Sequence, residues 1–198
     1  MTRPSGILLA GGASRRFGRP KVVEPVEGAP LFHRPLRALL DSCDDVVIVL
    51  APDARDLPLP DGAAGVRFAR DEIAFEGPLA GTRVGLEQVR GDRAVLVGAD
   101  MPGVTGALLT LMADRAPRTR ALVLSDANGT RPLPAVVDVA SALTLARKLL
   151  ASGERRLGAL VEGLGPEWLG ESVWRTVDPE GAWRRDVNAP SDLPPKVR

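Results

Sequence analysis

Gly6-Ile7-Leu8-Leu9 runs into Ala10-Gly11-Gly12-Ala13-Ser14-Arg15-Arg16-Phe17-Gly18-Arg19-Pro20-Lys21, an apolar segment feeding a glycine-rich, basic loop. The apolar run reads as a buried first strand. Gly11 and Gly12 lack a Cβ, so the backbone can turn sharply there and bring N–H groups against an anion, while Arg15, Arg16, Arg19 and Lys21 add fixed positive charge. The expectation is a loop that holds a nucleoside triphosphate, with backbone from Leu9 to Gly12 and the side chains of Arg16 and Lys21 on its phosphates. An ordinary glycine-rich turn with solvated arginines is the alternative. Two commoner loops are excluded: Arg19-Pro20 separates Gly18 from Lys21 and Val22 follows, so there is no Gly-Lys-Ser/Thr ending, and the G-x-G-x-x-G fingerprint is absent. The chain has 23 Arg and 3 Lys, yet this loop ends on Lys21. A compact ammonium reaches between phosphate oxygens in a way a planar guanidinium does not.

Outward from the loop, apolar runs and helical patterns alternate, the mark of a mostly parallel sheet covered by helices on both faces. Leu31, Leu36, Leu39 and Leu40 recur at helical spacing, and Val46 to Leu50 is a continuous apolar run, so the first units form a βαβ. A loop from Ala51 to Gly65 precedes a short strand at Val66–Ala69, a helix at Leu79–Val89 and a strand at Ala94–Val97. Helix Val104–Ala113, strand Ala121–Leu124 and an Asn128-Gly129 turn follow, then a returning strand Leu133–Val137 whose prolines predict a sheet edge. Helices Ala140–Ala151 and Leu157–Leu164 and a strand Ser172–Val177 complete the expected α/β, Rossmann-like three-layer sandwich. The length suits one domain spanning 1–198, with residues 194–198 frayed.

Composition narrows the function. A formal charge of +1 argues against nucleic-acid or membrane-surface partners, and no stretch approaches a membrane span. The lone Cys43 excludes an internal disulfide and fits a reducing, cytoplasmic setting, and His33, the only histidine, makes histidine-based chemistry a poor expectation.

Candidate chemistry should gather beyond the carboxyl ends of the strands. Asp100, in Gly98-Ala99-Asp100-Met101-Pro102 after a strand, suits Mg²⁺ bridging to phosphates, or caps the helix after Pro102. Gly77-Pro78 sets a helix start, but Gly81 in the first turn costs about 1 kcal/mol against alanine, which points to a ligand approaching the backbone. Asp71, after the third strand, can accept hydrogen bonds from a base or ribose. Asn188, in Asp186-Val187-Asn188-Ala189-Pro190, can address an acceptor or simply belong to a terminal turn, and Arg155-Arg156 suit a phosphate or solvent alike.

Taken together, L-A-G-G-A-S-R-R-F-G-R-P-K, E-G-P-L-A-G, G-A-D-M-P, G-E-R-R and D-V-N-A-P-S-D-L resemble the molybdenum cofactor guanylyltransferases, from Ile7 to Leu193. The resemblance implies a nucleotidyltransferase fold and transfer of GMP from GTP to the terminal phosphate of molybdopterin, with Mg²⁺. It further implies that Leu9, Ala10, Gly11, Lys21 and Asp71 contact nucleotide, that Asp100 holds Mg²⁺ and phosphates, and that Asn188 and Arg156 lie toward the pterin; the reading of the loop and of the helix start adds Gly12 and Gly81 to the nucleotide-binding set. Transient contact with molybdenum cofactor proteins is the implied partnership. Two departures stand out: Pro20 replaces an Asp that commonly precedes the signature lysine, and Ala51 replaces an asparagine often found near the base. A cytidylyl- or guanylyltransferase acting on another phosphorylated acceptor, and a non-catalytic nucleotide-binding regulator, are the alternatives.

Overall fold

The computed structural model describes residues 3–12, 21–63, 65–71, 77–118, 120–127 and 129–192. Arg16 and the rest of 13–20 lie outside the described residues, as does the tail from 193. The described part forms a seven-stranded sheet whose first half runs β1 (Ser5–Leu9), β4 (Asp45–Leu50), β5 (Arg67–Arg70) and β6 (Arg93–Gly98), all parallel, in the order β5-β4-β1-β6. Ile7, Leu8, Val46 to Leu50 and Ala94 to Val97 are buried on both faces, which is why these strands read as unbroken apolar runs. Helices α1 (His33–Ser42) and α3 (Gly106–Arg115) cover one face; α2 (Pro78–Gln88), α4 (Val139–Ala151) and α5 (Leu157–Gly163) cover the other. The three-layer α/β sandwich is as the patterning predicts.

The second half of the sheet departs from it. β8 (Gly129–Asp138) pairs antiparallel with β6 on one side and β7 (Leu122–Asp126) on the other, so it is an interior strand and not an edge. Its prolines are tolerated because the register against β7 shifts between Val123 and Ser125, and Pro132 and Pro134 fall in that irregular stretch while Ala135 to Val137 pair regularly. The strand expected at Ser172–Val177 is instead a helical turn, α6 (Glu171–Trp174); the edge strand is β9 (Glu167–Leu169), parallel to β7. Trp174 drives the change: it is buried against Trp183, and its indole N–H reaches the Ser125 carbonyl at 2.9 Å. A two-stranded hairpin, β2 (Pro25–Val26) and β3 (Ala29–Pro30), carried too few residues to be anticipated.

Candidate active site

Four parallel strands end around one cavity of about 420 Å³: Leu9 and Gly11 after β1, Leu50 to Pro52 after β4, Asp71 after β5, and Gly98 and Asp100 after β6, with Gly77, Pro78 and Gly81 of α2 and Leu133 of β8 as its side. This is the crevice that a doubly wound sheet opens where chain order reverses, here between β1 and β6. The strand ladder continues into the loops. Ala10 donates to the Val49 carbonyl at 2.9 Å, Asp71 N–H to the Leu50 carbonyl at 3.0 Å, and Ala99 N–H to the Leu9 carbonyl at 3.0 Å, so each loop leaves its strand in a fixed direction. Ala10 spends its N–H this way and packs on the core beneath the cavity, which leaves Gly11 and Gly12 as the wall residues of that stretch.

Asp100 is not the cap of the helix that follows: Thr105 takes that role, its hydroxyl accepting from Leu108 N–H at 3.3 Å. Its carboxylate folds over Gly98, where any Cβ would lie 2.5 Å from Oδ1. Oδ2 accepts from the Lys21 ammonium at 2.7 Å, and both side chains are largely withdrawn from solvent. Lys21 donates again to the Val187 carbonyl at 3.0 Å, and the Val187 N–H donates to the Asp100 carbonyl at 2.9 Å. Val187 also packs with Val26 and Leu31, on the hairpin that follows the turn carrying Lys21. Three distant segments thus meet at one junction.

Asp186, first residue of the D-V-N turn, belongs to it. Burial and the nearby Asp100 charge push its carboxyl above the ordinary range, while Arg131 and Lys21 oppose the shift. Arg131 Nη1 donates to Asp186 Oδ2 at 3.0 Å and to the Arg184 carbonyl at 2.8 Å. The D-V-N turn was the available signal; the arginine that fixes it carried none.

Gly81 lines the cavity. A Cβ there would meet Val49 and Leu9 side chains at 3.6 and 3.8 Å and Asp71 Oδ2 at 4.0 Å, ordinary contacts, so packing alone does not demand glycine. Gly77 is different: its φ of 93° favours glycine, and a Cβ would sit 2.8 Å from the Arg155 carbonyl. That contact brings the Gly153–Arg156 segment to the mouth of the cavity. Arg156 itself is exposed and grips Glu154, with Nη2 to Oε2 at 2.8 Å, and holds that carboxyl down at about 2. Neither Arg156 nor the exposed Asn188 lines the cavity; Asn188 N–H donates to Asp192 Oδ2 at 2.8 Å within a turn. His33, whose ring nitrogen meets the Pro58 carbonyl at 2.7 Å, and buried Cys43 lie away from it.

The donor set suits Mg²⁺. Asp100, with Asp186 in its field, offers hard carboxylate oxygen, a cation already stands on Asp100 in the form of the Lys21 ammonium, and among the described residues no three His, Cys, Asp or Glu cluster into an all-protein cage. Mg²⁺ typically takes one or two carboxylates and completes its shell with phosphate and water.

Residues 6–167 match the MobA-like NTP transferase domain. The chain is 35% identical over 198 residues to the probable molybdenum cofactor guanylyltransferase of Chloroflexus aggregans, covering 96% of this chain and 91% of that one. The fold is shared with molybdopterin-guanine dinucleotide biosynthesis protein A of Archaeoglobus fulgidus, with a TM-score of 0.74 at 21% identity over 96% of this chain and 94% of that one. It is shared also with a Mycobacterium tuberculosis protein solved as a manganese complex, with a TM-score of 0.60 at 20% identity over 85% and 88%. Among the described residues no helix is long and apolar enough to cross a membrane. A crevice at the strand ends, an aspartate in its wall joined to a lysine, and these likenesses agree: the chain is a nucleotidyltransferase and belongs to the MobA-like NTP transferase family.

Proposed function

We propose that the chain transfers GMP from GTP to the terminal phosphate of molybdopterin, releasing pyrophosphate, as one cytoplasmic domain over 1–198 that uses Mg²⁺ and hands its product on through transient contact with molybdenum cofactor proteins. The observation that carries this reading is the junction of Lys21, Asp100 and Val187 beside a cavity ringed by strand ends. An oxygen of the acceptor phosphate attacks the α-phosphorus of GTP, a new P–O bond forms, the bond to the bridging oxygen breaks, and pyrophosphate leaves. Such transfer depends on positioning and charge neutralisation. Gly11 and Gly12 bring backbone to the phosphates, Lys21 and Arg16 carry positive charge to them, and Asp100 holds the metal. When bound, Mg²⁺ neutralises charge on the triphosphate. The acceptor phosphate is already ionised at neutral pH, so no histidine or cysteine nucleophile is needed.

Asp71 lines the cavity, and a carboxylate there supports guanine by accepting from its N1–H and amino group. Adenine and cytosine present an amino group beside a ring acceptor, not the adjacent pair of donors that guanine offers such a carboxylate. The second reading, cytidylyl transfer, turns on Ala51 and Pro52, which line the cavity and offer no side-chain donor or acceptor to select guanine. Pyrophosphate release measured for the four NTPs, each with molybdopterin and with simple sugar phosphates, decides it. GTP with molybdopterin is the expected pair; a preference for CTP moves the chain to the cytidylyl branch.

A further inference from the structure

A second groove, of about 250 Å³, lies between α5 and the irregular start of β8, and the reaction as described leaves it unused. Its walls are Pro132, Val161, Pro166 and the ring of Trp168, with Thr130 and Glu162 as polar neighbours. Trp168 is anomalous among the tryptophans: Trp174 and Trp183 are buried, whereas Trp168 is 64% exposed. Parallel pairing of Val123 with Trp168 turns both side chains to the face that α5 covers, and α5 is too short to hide the edge strand. The Glu162 carboxylate is exposed beside it, in the field of the Arg156 guanidinium.

The groove opens toward the chemistry. β8 runs antiparallel to β6, so Thr130 to Pro132 stand at the end of the sheet where Gly98 and Asp100 lie. Leu133, the next residue, lines the nucleotide cavity. Arg131 lines the groove and places its guanidinium on Asp186, which feels the charges of Asp100 and Lys21. A ligand seated against Trp168 with an anionic arm running past Arg131 therefore points that arm at the site of transfer.

Resting on the function proposed above, we infer that this groove is the acceptor's ring subsite: Trp168 stacks on the planar pterin, Pro132 and Val161 close its edges, and Glu162 accepts from the amino group and ring N–H of the aminopyrimidinone edge. At about 250 Å³ against 420 Å³ the groove is the smaller of the two, which suits a ring head and leaves the larger cavity to GTP. A stacked ring loses roughly tenfold or more in affinity when its aromatic partner is removed.

The test is steady-state transfer with molybdopterin at saturating GTP, in the full chain and its Trp168→Ala, Trp168→Phe and Glu162→Gln variants; both side chains are exposed, so the fold is kept. Trp168→Ala should raise KM for molybdopterin at least about tenfold while kcat and KM for GTP stay within about twofold. Trp168→Phe should restore most of the loss, and Glu162→Gln should raise the same KM by a smaller factor. If the wild type uses molybdopterin and neither Trp168→Ala nor Glu162→Gln shifts its KM, or if GTP parameters fall equally, the groove is not the subsite and the function stands. A wild type that fails with molybdopterin under every NTP overturns the function and the subsite with it.

Discussion

The two halves of the sheet solve the same problem in different ways. From β5 to β6 every strand is parallel and buried, and the cavity follows from chain direction: four strand ends point at one crevice, and only small residues such as Gly11, Gly81 and Gly98 are needed to keep it open. From β8 to β9 the pairing is mixed and bulged, and position is set contact by contact. Arg131 pins Asp186, and Asp178 caps the turn at Ala182–Arg184 through bonds to the Ala182 and Trp183 N–H groups at 2.9 and 3.0 Å. One half opens a crevice at its strand ends; the other holds Arg131 and Asp186 beside it.

The contrast can be broken most directly at Asp100. Asp100→Asn should cut pyrophosphate release by about 10³ or more while circular dichroism and Tm stay close to wild type, because the residue ends a strand and fills no core; near-normal turnover at limiting Mg²⁺ would remove the parallel half's claim to the metal. Lys21→Ala should cost about 10² in kcat/KM for NTP. Lys21→Arg should recover only part of it, since the ammonium sits between Asp100 Oδ2 and the Val187 carbonyl at 2.7 and 3.0 Å, a gap that a planar fork does not fit. Full recovery would mean that charge alone suffices.

In the contact-by-contact half the loss should appear first as stability. A Cβ at Gly103 would fall on the Ala182 carbonyl, so Gly103→Ala must push the 182–187 segment away, at about 1–3 kcal/mol in chemical denaturation, with activity falling alongside. Gly81→Ala should do the reverse in the parallel half: a helix gain of up to about 1 kcal/mol, with KM for NTP raised several-fold as a methyl group enters the cavity. The smallest effect is expected from Arg156→Ala, within about threefold in KM for the acceptor, because that guanidinium is exposed and already engaged by Glu154.

The same division governs what could be read beforehand. Runs such as Val46 to Leu50 read as strands buried on both faces, and a glycine-rich turn or an aspartate directly after such a run falls at the crevice, as Gly11 and Asp100 do; Asp71 follows a shorter, half-buried strand, and Gly81 was marked by its cost inside a helix. Prolines in Pro132-Leu133-Pro134 suggested an edge because a ladder cannot use them; only the partner strand's register shows that a bulge absorbs them. Ser172 to Val177 looked strand-like by composition, while a single indole buried against a second tryptophan made it helical. Arg131 was invisible for a similar reason: a solvent-facing arginine on a strand looks like any other until Asp186 is folded against it.

The junction also orders events in time. The carboxylate at residue 100 is complete as soon as β6 pairs, but the carbonyl that steadies the Lys21 ammonium and the N–H that ties down the Asp100 backbone both come from Val187. As the chain is synthesised, the parallel strand ends can therefore come together before Val187 has emerged, and the Lys21–Asp100 junction is complete only when the 186–188 turn closes over the hairpin at Val26 and Leu31.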